Sequence, residues 1–339
     1  MNVTAIGLDL AKNIIQVHGS DLKGRKRMER RLRRRELLEF LSQQPPCQVG
    51  MESTSGAHYW AREIERLGHE VRIISCKYVK PFVLGNKTDK GDAEAIVEAM
   101  QRSRTLFVPV KSEAQQELQI LHRIRERRVK QKVQIVNQLR AILGEFGIVS
   151  RTGNAALRTL IRSALSTEES GLSSGMQSLV MELSEELTEQ EHLILRDDER
   201  LTALAKSDEV CRRLMEVPGV GVITATALVA TVGDAREFRN GRQFSAWLGL
   251  VPSEFSSGEK QKLGSITKRG NVYLRSLLVH GSRSLFASLH RRGDRLSDWV
   301  KQLKERRGSC KAIVALANKL ARMIWVLMAR GERYATPCR

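Results

Sequence analysis

The chain has no pair of cysteines at metal-binding spacing. Cys47, Cys76, Cys211, Cys310 and Cys338 are scattered along 339 residues and odd in number. This argues against a zinc knuckle and a disulfide framework, and reads as reduced thiols in a cytosolic protein. The seven histidines are equally dispersed. His58, beside Tyr59 and Trp60, reads as a packed helix residue rather than a ligand. No apolar run approaches the roughly 20 residues of a membrane span. The start Met1-Asn2-Val3-Thr4 lacks the basic-then-apolar pattern of a signal sequence, so no membrane partner is expected. Acids are also in deficit, with 38 Asp and Glu against 57 Lys and Arg and a net charge of +19. An excess of that size, recurring in several blocks, points to a nucleic-acid partner; a solvated basic surface is the plain alternative. A hydrophobic content of 41% is enough for real cores, and the length fits two or three domains.

Residues 1–108 read as an α/β layer. Val3–Leu10, Ile14–His18 and Lys26–Leu32 are expected strands, followed by a helix over Arg35–Gln43 that Pro45-Pro46 ends. Cys47–Met51 and Val71–Ser75 read as strands, Ala57–Leu67 and Gly91–Ser103 as helices. Three early strands followed by alternating helix and strand fit an RNase H-like layer. Residues 109–206 change character. Leu118, Leu121, Ile124, Val129, Val136, Leu139 and Leu143 mark a long amphipathic helix whose polar face carries Arg123, Arg125, Arg127, Arg128, Lys130 and Lys132. Val180, Leu187, Ile194 and Leu201 repeat at heptad spacing in a second helix, Met176–Lys206. With Thr152–Gly175 as linker, this predicts an antiparallel coiled-coil hairpin, a spacer or oligomerisation arm, with Arg125 and Arg128 placed to touch nucleic acid. Residues 207–339 read as mostly short helices. Val217-Pro218-Gly219-Val220-Gly221 joins two helical patterns, as in a helix-hairpin-helix whose Gly219 and Gly221 let backbone N–H groups hold a phosphate. A plain tight turn between core helices is the alternative.

Four carboxylates carry most of the chemical information. Asp9 sits in the apolar run Ile6-Gly7-Leu8-Asp9-Leu10, and Glu52 follows Val49-Gly50-Met51. Asp89 and Asp92 stand three apart at a helix start, on one face. An acid at the tip of an apolar strand is costly unless compensated, and a divalent cation held by several oxygens is the usual compensation. Each acid alone has a blander reading: Asp92 as a helix N-terminal charge, Glu52 as a cap. Together they predict metal-assisted chemistry on a phosphate backbone. The polar, Gly/Ser-rich stretch Ser253–Arg269 reads as a loop, followed by helices Val272–Leu289, Leu296–Glu305 and Cys310–Ala329. Lys260, Lys262, Lys268, Arg269 and Arg275 suit phosphate contact. From spacing alone, Ser256 and Ser257 are ordinary loop serines.

Gly7-Leu8-Asp9-Leu10-Ala11-Lys12, Met51-Glu52-Ser53-Thr54-Ser55-Gly56 and Asn86-Lys87-Thr88-Asp89-Lys90-Gly91-Asp92-Ala93 resemble the DEDD signature of a bacterial insertion-sequence transposase family whose N-terminal domain is RuvC-like. Pro218-Gly219-Val220-Gly221, Phe244–Pro252, Ser257-Gly258 and Ile266–Gly270 resemble its C-terminal transposase domain. The resemblance spans essentially the whole chain, in order. It implies that Asp9, Glu52, Asp89 and Asp92 bind Mg²⁺, with Mn²⁺ as an alternative. It also implies that Ser257, or Ser256 if the alignment slips by one, is a nucleophile forming a covalent phosphoserine link to DNA. A structured non-coding guide RNA, double-stranded DNA as element ends and target, and a homo-oligomer (dimer or tetramer) are the implied partners, in a bacterial cytoplasm. Two other readings stay open: a metal-dependent junction endonuclease that uses water, and a nucleic-acid scaffold without chemistry. An actin-like ATPase is the weakest, since no second phosphate-gripping glycine motif follows Gly7-Leu8-Asp9-Leu10.

Overall fold

The computed structural model describes residues 3–83, 88–103, 105–166, 171–256, 262–291 and 293–335. They form two compact units, Met1–Ala114 and Gln115–Arg339.

In the first unit the elements are β1 (Ala5–Leu10), β2 (Ile14–Ser20), β3 (Lys26–Arg33), α1 (Leu37–Ser42), β4 (Gln48–Glu52), α2 (Ala57–Arg66), β5 (Glu70–Ile74), α3 (Cys76–Val79), α4 (Asp89–Met100) and β6 (Phe107–Val108). The strands make one six-stranded sheet in the order β3-β2-β1-β4-β5-β6. β1–β2, β2–β3 and β5–β6 are antiparallel, while β1–β4 and β4–β5 are parallel. Alternation decides the two faces. Ile6, Leu8, Ile15, Val17, Val49 and Met51 share a core with Leu37, Leu41, Trp60 and Ile64 of α1 and α2. Ala5 and Ile74 share the opposite one with Val79, Ile96, Val97 and Met100 of α3 and α4. The result is a helix–sheet–helix sandwich, the α/β layer the sequence predicts. Helix α4 begins two residues earlier than expected because Thr88 caps it, its Oγ1 accepting a hydrogen bond from the Gly91 N–H at 3.1 Å.

Glycine governs how closely α4 lies on the sheet. A Cβ on Gly7 would run into the carbonyl oxygen of Ala93, and one on Gly50 would stand 3.0 Å from Ile96 Cγ2 and Met100 Sδ. Gly in a strand interior commonly marks such a backbone approach.

The second unit opens with α5 (Glu113–Glu145), α6 (Asn154–Ser166) and α7 (Ser174–Ser207). Arg125–Asp198, Arg128–Asp197 and Lys132–Glu191 advance along α5 while retreating along α7, so the two long helices are antiparallel. The linker expected at Thr152–Gly175 is not structureless. Leu157, Ile161 and Ala164 of α6 join the buried cluster of Leu139, Leu143 and Val180, so a third helix closes the core there. Then follow α8 (Glu209–Met215), α9 (Val222–Val232), α10 (Gly241–Trp247), β7 (Pro252–Glu254), β8 (Leu263–Ile266), α11 (Val272–Ala287), α12 (Arg295–Arg307) and α13 (Ser309–Arg330). Leu316, Leu320 and Ile324 of α13 centre a second cluster with Leu214, Leu228, Phe244 and Leu278. By length and composition α13 is apolar enough to cross a membrane. This corrects the expectation that no stretch approaches that length, although the buried face of α13 is the core of this unit.

His122 joins α5 to this core. Thr226 Oγ1 donates to the Val222 carbonyl at 2.7 Å, so it accepts from His122 Nε2 at 3.0 Å, and His122 Nδ1 accepts from the Tyr273 hydroxyl at 3.1 Å. Burial, helped by the Arg125 cation, pushes the imidazole down to about 4 from its ordinary 6.5.

Two outcomes are expected. Gly7→Ala should cost about 1–3 kcal/mol through overpacking, whereas Gly144→Ala, with nothing within 4 Å of the new methyl group, should be neutral or slightly stabilising; calorimetry of both variants checks this. The folded value of His122 lies below the unfolded one, so its contribution is full above pH 6.5 and is lost as pH falls toward 4. The melting temperature of the wild type should drop across that window, and His122→Gln should flatten the drop.

Candidate active site

The carboxyl ends of β1 and β4 set the site. Leu8 and Met51 are the last register partners of these parallel strands, and Asp9 and Glu52 each come next. Gly7 and Gly50 face α4, so Asp9 and Glu52, two residues further on, point to that same face. Both are partly exposed. Ala93 lies over Gly7, and Asp89 and Asp92 occupy the first turn of α4, immediately before it. The four acids thus come from two strand ends and from the first turn of the helix packed on the same face of the sheet. Their donors are all oxygens, which suits a hard divalent cation. The side chains do not close round such an ion: among the described residues, no three His, Cys, Asp or Glu groups stand close enough to share a metal. Lys90, between Asp89 and Asp92, is tied to Glu29 of β3 at 3.0 Å.

The serine segment is built differently from the loop the sequence suggests. Pro252 pairs with Ile266 and Glu254 with Leu263, so β7 and β8 form an antiparallel hairpin. Ser257 and Lys260 lie outside the described residues. Ser256 is exposed and donates to Glu254 Oε1 at 2.7 Å. The base of the hairpin is fixed. Lys268 N–H donates to the Gly249 carbonyl at 3.1 Å and Thr267 N–H to Val251 at 2.9 Å. Gly249 (φ +73°) and Gly270 (φ +95°) interlock, a Cβ on either colliding with the backbone of Arg269 or Trp247 respectively. Asn318 Nδ2 donates to Ser245 Oγ at 2.7 Å and to the Leu250 carbonyl at 3.1 Å from the opposite side. The hairpin also edges a cavity of about 1240 Å³ that includes Asn318, Arg322 and Trp325 of α13. Among the described residues no carboxylate lines it.

The expected nucleic-acid contacts divide. Lys262, Lys268 and Arg269 are exposed, and Gly221 is exposed at the start of α9 with open space around it. Gly219, at φ +85°, packs against α11, where a Cβ would stand 2.9 Å from the Gly281 oxygen, so close packing alone already calls for glycine there. Arg128 turns inward to Asp197, whose carboxylate is fully buried, at 2.6 Å, and Arg125 pairs with Asp198. Their guanidiniums hold the helical hairpin together, which corrects their placement on a nucleic-acid face; Arg123 and Arg127 are exposed instead. Arg275 Nη1 donates to the Leu248 carbonyl at 3.0 Å and to Arg269 at 3.4 Å. It clamps the hairpin base and is partly buried.

Known proteins similar to this chain agree on one family. Residues 6–148 match the DEDD transposase model of the IS110 type, and residues 211–296 match the model described as "Transposase IS116/IS110/IS902 family". A Pseudomonas aeruginosa protein named "Probable family 20 transposase" is 46% identical over 335 residues, covering 98% of this chain and 99% of the relative. The Coxiella burnetii transposase for insertion sequence element IS1111A is 39% identical, covering 98% and 92%. The Yersinia enterocolitica transposase for element IS1328 is 41% identical, covering 98% and 99%.

Sequence reasoning missed the glycine pair under α4 and the anchors Asn318 and Arg275. Glycine inside the apolar runs at Gly7 and Gly50 was the available signal for the first. The anchors had none, since their partners lie 27 and 68–73 residues away. Arg275→Met separates clamp from phosphate contact. As a clamp, its loss should speed hydrogen exchange at the Thr267 and Lys268 amides and leave the salt dependence of DNA binding unchanged. A phosphate contact would instead make that dependence shallower.

Proposed function

Because the chain belongs to the IS116/IS110/IS902 family of transposases and carries the DEDD transposase domain of the IS110 type, we propose that it cuts and rejoins double-stranded DNA with Asp9, Glu52, Asp89 and Asp92 as metal-holding acids and Ser257 as nucleophile. The observation that carries this reading is the placement of the four acids on one face of the sheet, at the ends of adjacent parallel strands and in the first turn of the helix laid over them. Mg²⁺, or Mn²⁺, bound there would neutralise and polarise a phosphate. The serine supplies a covalent step. Its Oγ bonds to phosphorus as one phosphorus–deoxyribose oxygen bond breaks, and the serine proton ends on the released hydroxyl. Religation reverses this with a hydroxyl from another strand, so phosphodiester bonds are conserved and no ATP is needed.

The anchored base of the β7–β8 hairpin supports the serine's role, since a nucleophile on a short hairpin needs a fixed root. Choice of sequence comes, in this reading, from a structured guide RNA pairing with donor and target DNA, while the protein grips backbones; the +19 net charge suits that division. A homo-oligomer would bring the serine of one copy to the acids of another.

The test is a covalent-adduct trap in cells carrying the element's flanking ends and any RNA they encode. Peptide mass spectrometry after denaturation and nuclease trimming should find DNA on Ser257. Ser257→Ala and Asp89→Asn should each abolish the adduct. Cleavage that persists in Ser257→Ala without an adduct would establish a water-using nuclease in its place. Unchanged function in Asp89→Asn would leave only a scaffold.

A further inference from the structure

The segment Lys23–Arg35 holds nine lysines and arginines in 13 residues, and none of the roles above uses them. It forms the turn into β3, the edge strand β3 itself and the residues that follow it. Some of these cations are occupied. Arg27 pairs with Asp21 at 2.7 Å, Lys26 with Glu29 at 2.8 Å, and Arg34 lies 5.0 Å over the Trp60 ring. Arg30, Arg31, Arg33 and Arg35 are exposed; the Arg33 backbone N–H donates to Glu36 Oε2 at 2.9 Å, but among the described residues none of the four guanidiniums forms an ion pair.

Register separates these four. Val17 faces Arg30 and Ile15 faces Leu32, so those side chains share the α1–α2 face. Gln16 faces Arg31 on one side and Asp9 on the other. Arg31, Gln16 and Asp9 therefore form one row across three strands on the α4 face, with Arg33 two residues further along. β3 runs parallel to β1, both being antiparallel to β2, so Arg31 and Arg33 stand at the same end of the sheet as the acids. Two strand spacings put Arg31 about 10 Å from Asp9 across the sheet. The Glu29–Lys90 ion pair, 3.0 Å long, fastens the same strand to the first turn of α4, beside Asp89.

We propose that Arg31 and Arg33 form a phosphodiester-binding subsite that holds the DNA backbone beside the acid-bearing strand ends. The inference rests on the reading of those acids given above. A guanidinium takes a phosphate through two parallel hydrogen bonds. Arg31 and Arg33 are about 6.8 Å apart along the strand, enough to take separate phosphates. Contacts of this kind set position and carry no base information, so the subsite is sequence-neutral. Blunting of a free sheet edge by charge is the plain alternative, but that role is met by cations anywhere along the edge and does not require them at the acid end of the α4 face.

The experiment measures binding of a fluorescein-labelled DNA duplex to the full chain across a salt series, with two duplexes of unrelated sequence. Arg31→Gln/Arg33→Gln should weaken binding to both equally and make the slope of log affinity against log salt shallower by about two. Lys23→Gln/Arg25→Gln removes the same charge from the far end of the strand and should leave the slope unchanged. Arg31→Lys/Arg33→Lys keeps the charge; it should hold the slope, lower the affinity, and serve in place of the glutamine pair if that pair does not fold. Equal losses from both ends of the strand, no loss from Arg31→Gln/Arg33→Gln, or a wild type that binds no duplex would each overturn the proposal. Failure of the acid reading is separate. Strand cleavage unaffected by Asp89→Asn would remove that reading, while the salt slopes would still report on β3.

Discussion

The closeness of α4 to the sheet is the constraint on which the first unit depends. A helix carrying carboxylates in its first turn can meet carboxylates on strand ends only if its backbone comes nearer the sheet than side chains ordinarily allow. Gly7 and Gly50 provide that by omission, on the two strands that also carry Asp9 and Glu52. Each strand thus has a glycine and, two residues later on the same face, an acid. The glycine sets the depth of the helix, and the acid follows it on that face. The Thr88 cap fixes where the helix begins and so which acids fall in its first turn.

The same device recurs in the second unit. Gly219 lies against Gly281, and the turn at Trp247–Gly249 interlocks with Lys268–Gly270. Backbone meets backbone at each point, and Arg275 and Asn318 add hydrogen bonds to carbonyls that would otherwise lack partners. The roots of the serine-bearing hairpin are thereby held from two sides, by α11 and by α13.

What could be read from the sequence follows from how local each signal is. The strand ends at Asp9 and Glu52 were legible because the apolar alternation before them is local. The helix bearing Asp89 and Asp92 is legible too, but its apolar periodicity begins after Gly91, and only the Thr88 cap extends it back to Asp89. The roles of Arg125 and Arg128 were not legible. A basic helix face looks alike whether it meets phosphate or carboxylate, and Asp197 and Asp198 lie about seventy residues away in sequence. The β7–β8 hairpin was hidden by its serines and glycines, which weaken strand propensity, while its pairing depends on anchors in α11 and α13. Helix α6 was hidden in a segment whose ends are polar, although Leu157, Ile161 and Ala164 repeat at helical spacing within it.

The Arg128–Asp197 pair has a mechanical consequence. Two long antiparallel helices joined only by apolar contacts can slide past one another by a turn at modest cost. A carboxylate with no solvent exposure, gripped by a guanidinium at 2.6 Å, would be stranded by such a slip, at a cost of about 3–5 kcal/mol. The 33 residues of α5 span about 50 Å at 1.5 Å per residue. The pair therefore makes the hairpin a lever of fixed length: a push at its tip reaches its other end as rotation instead of being absorbed as slippage.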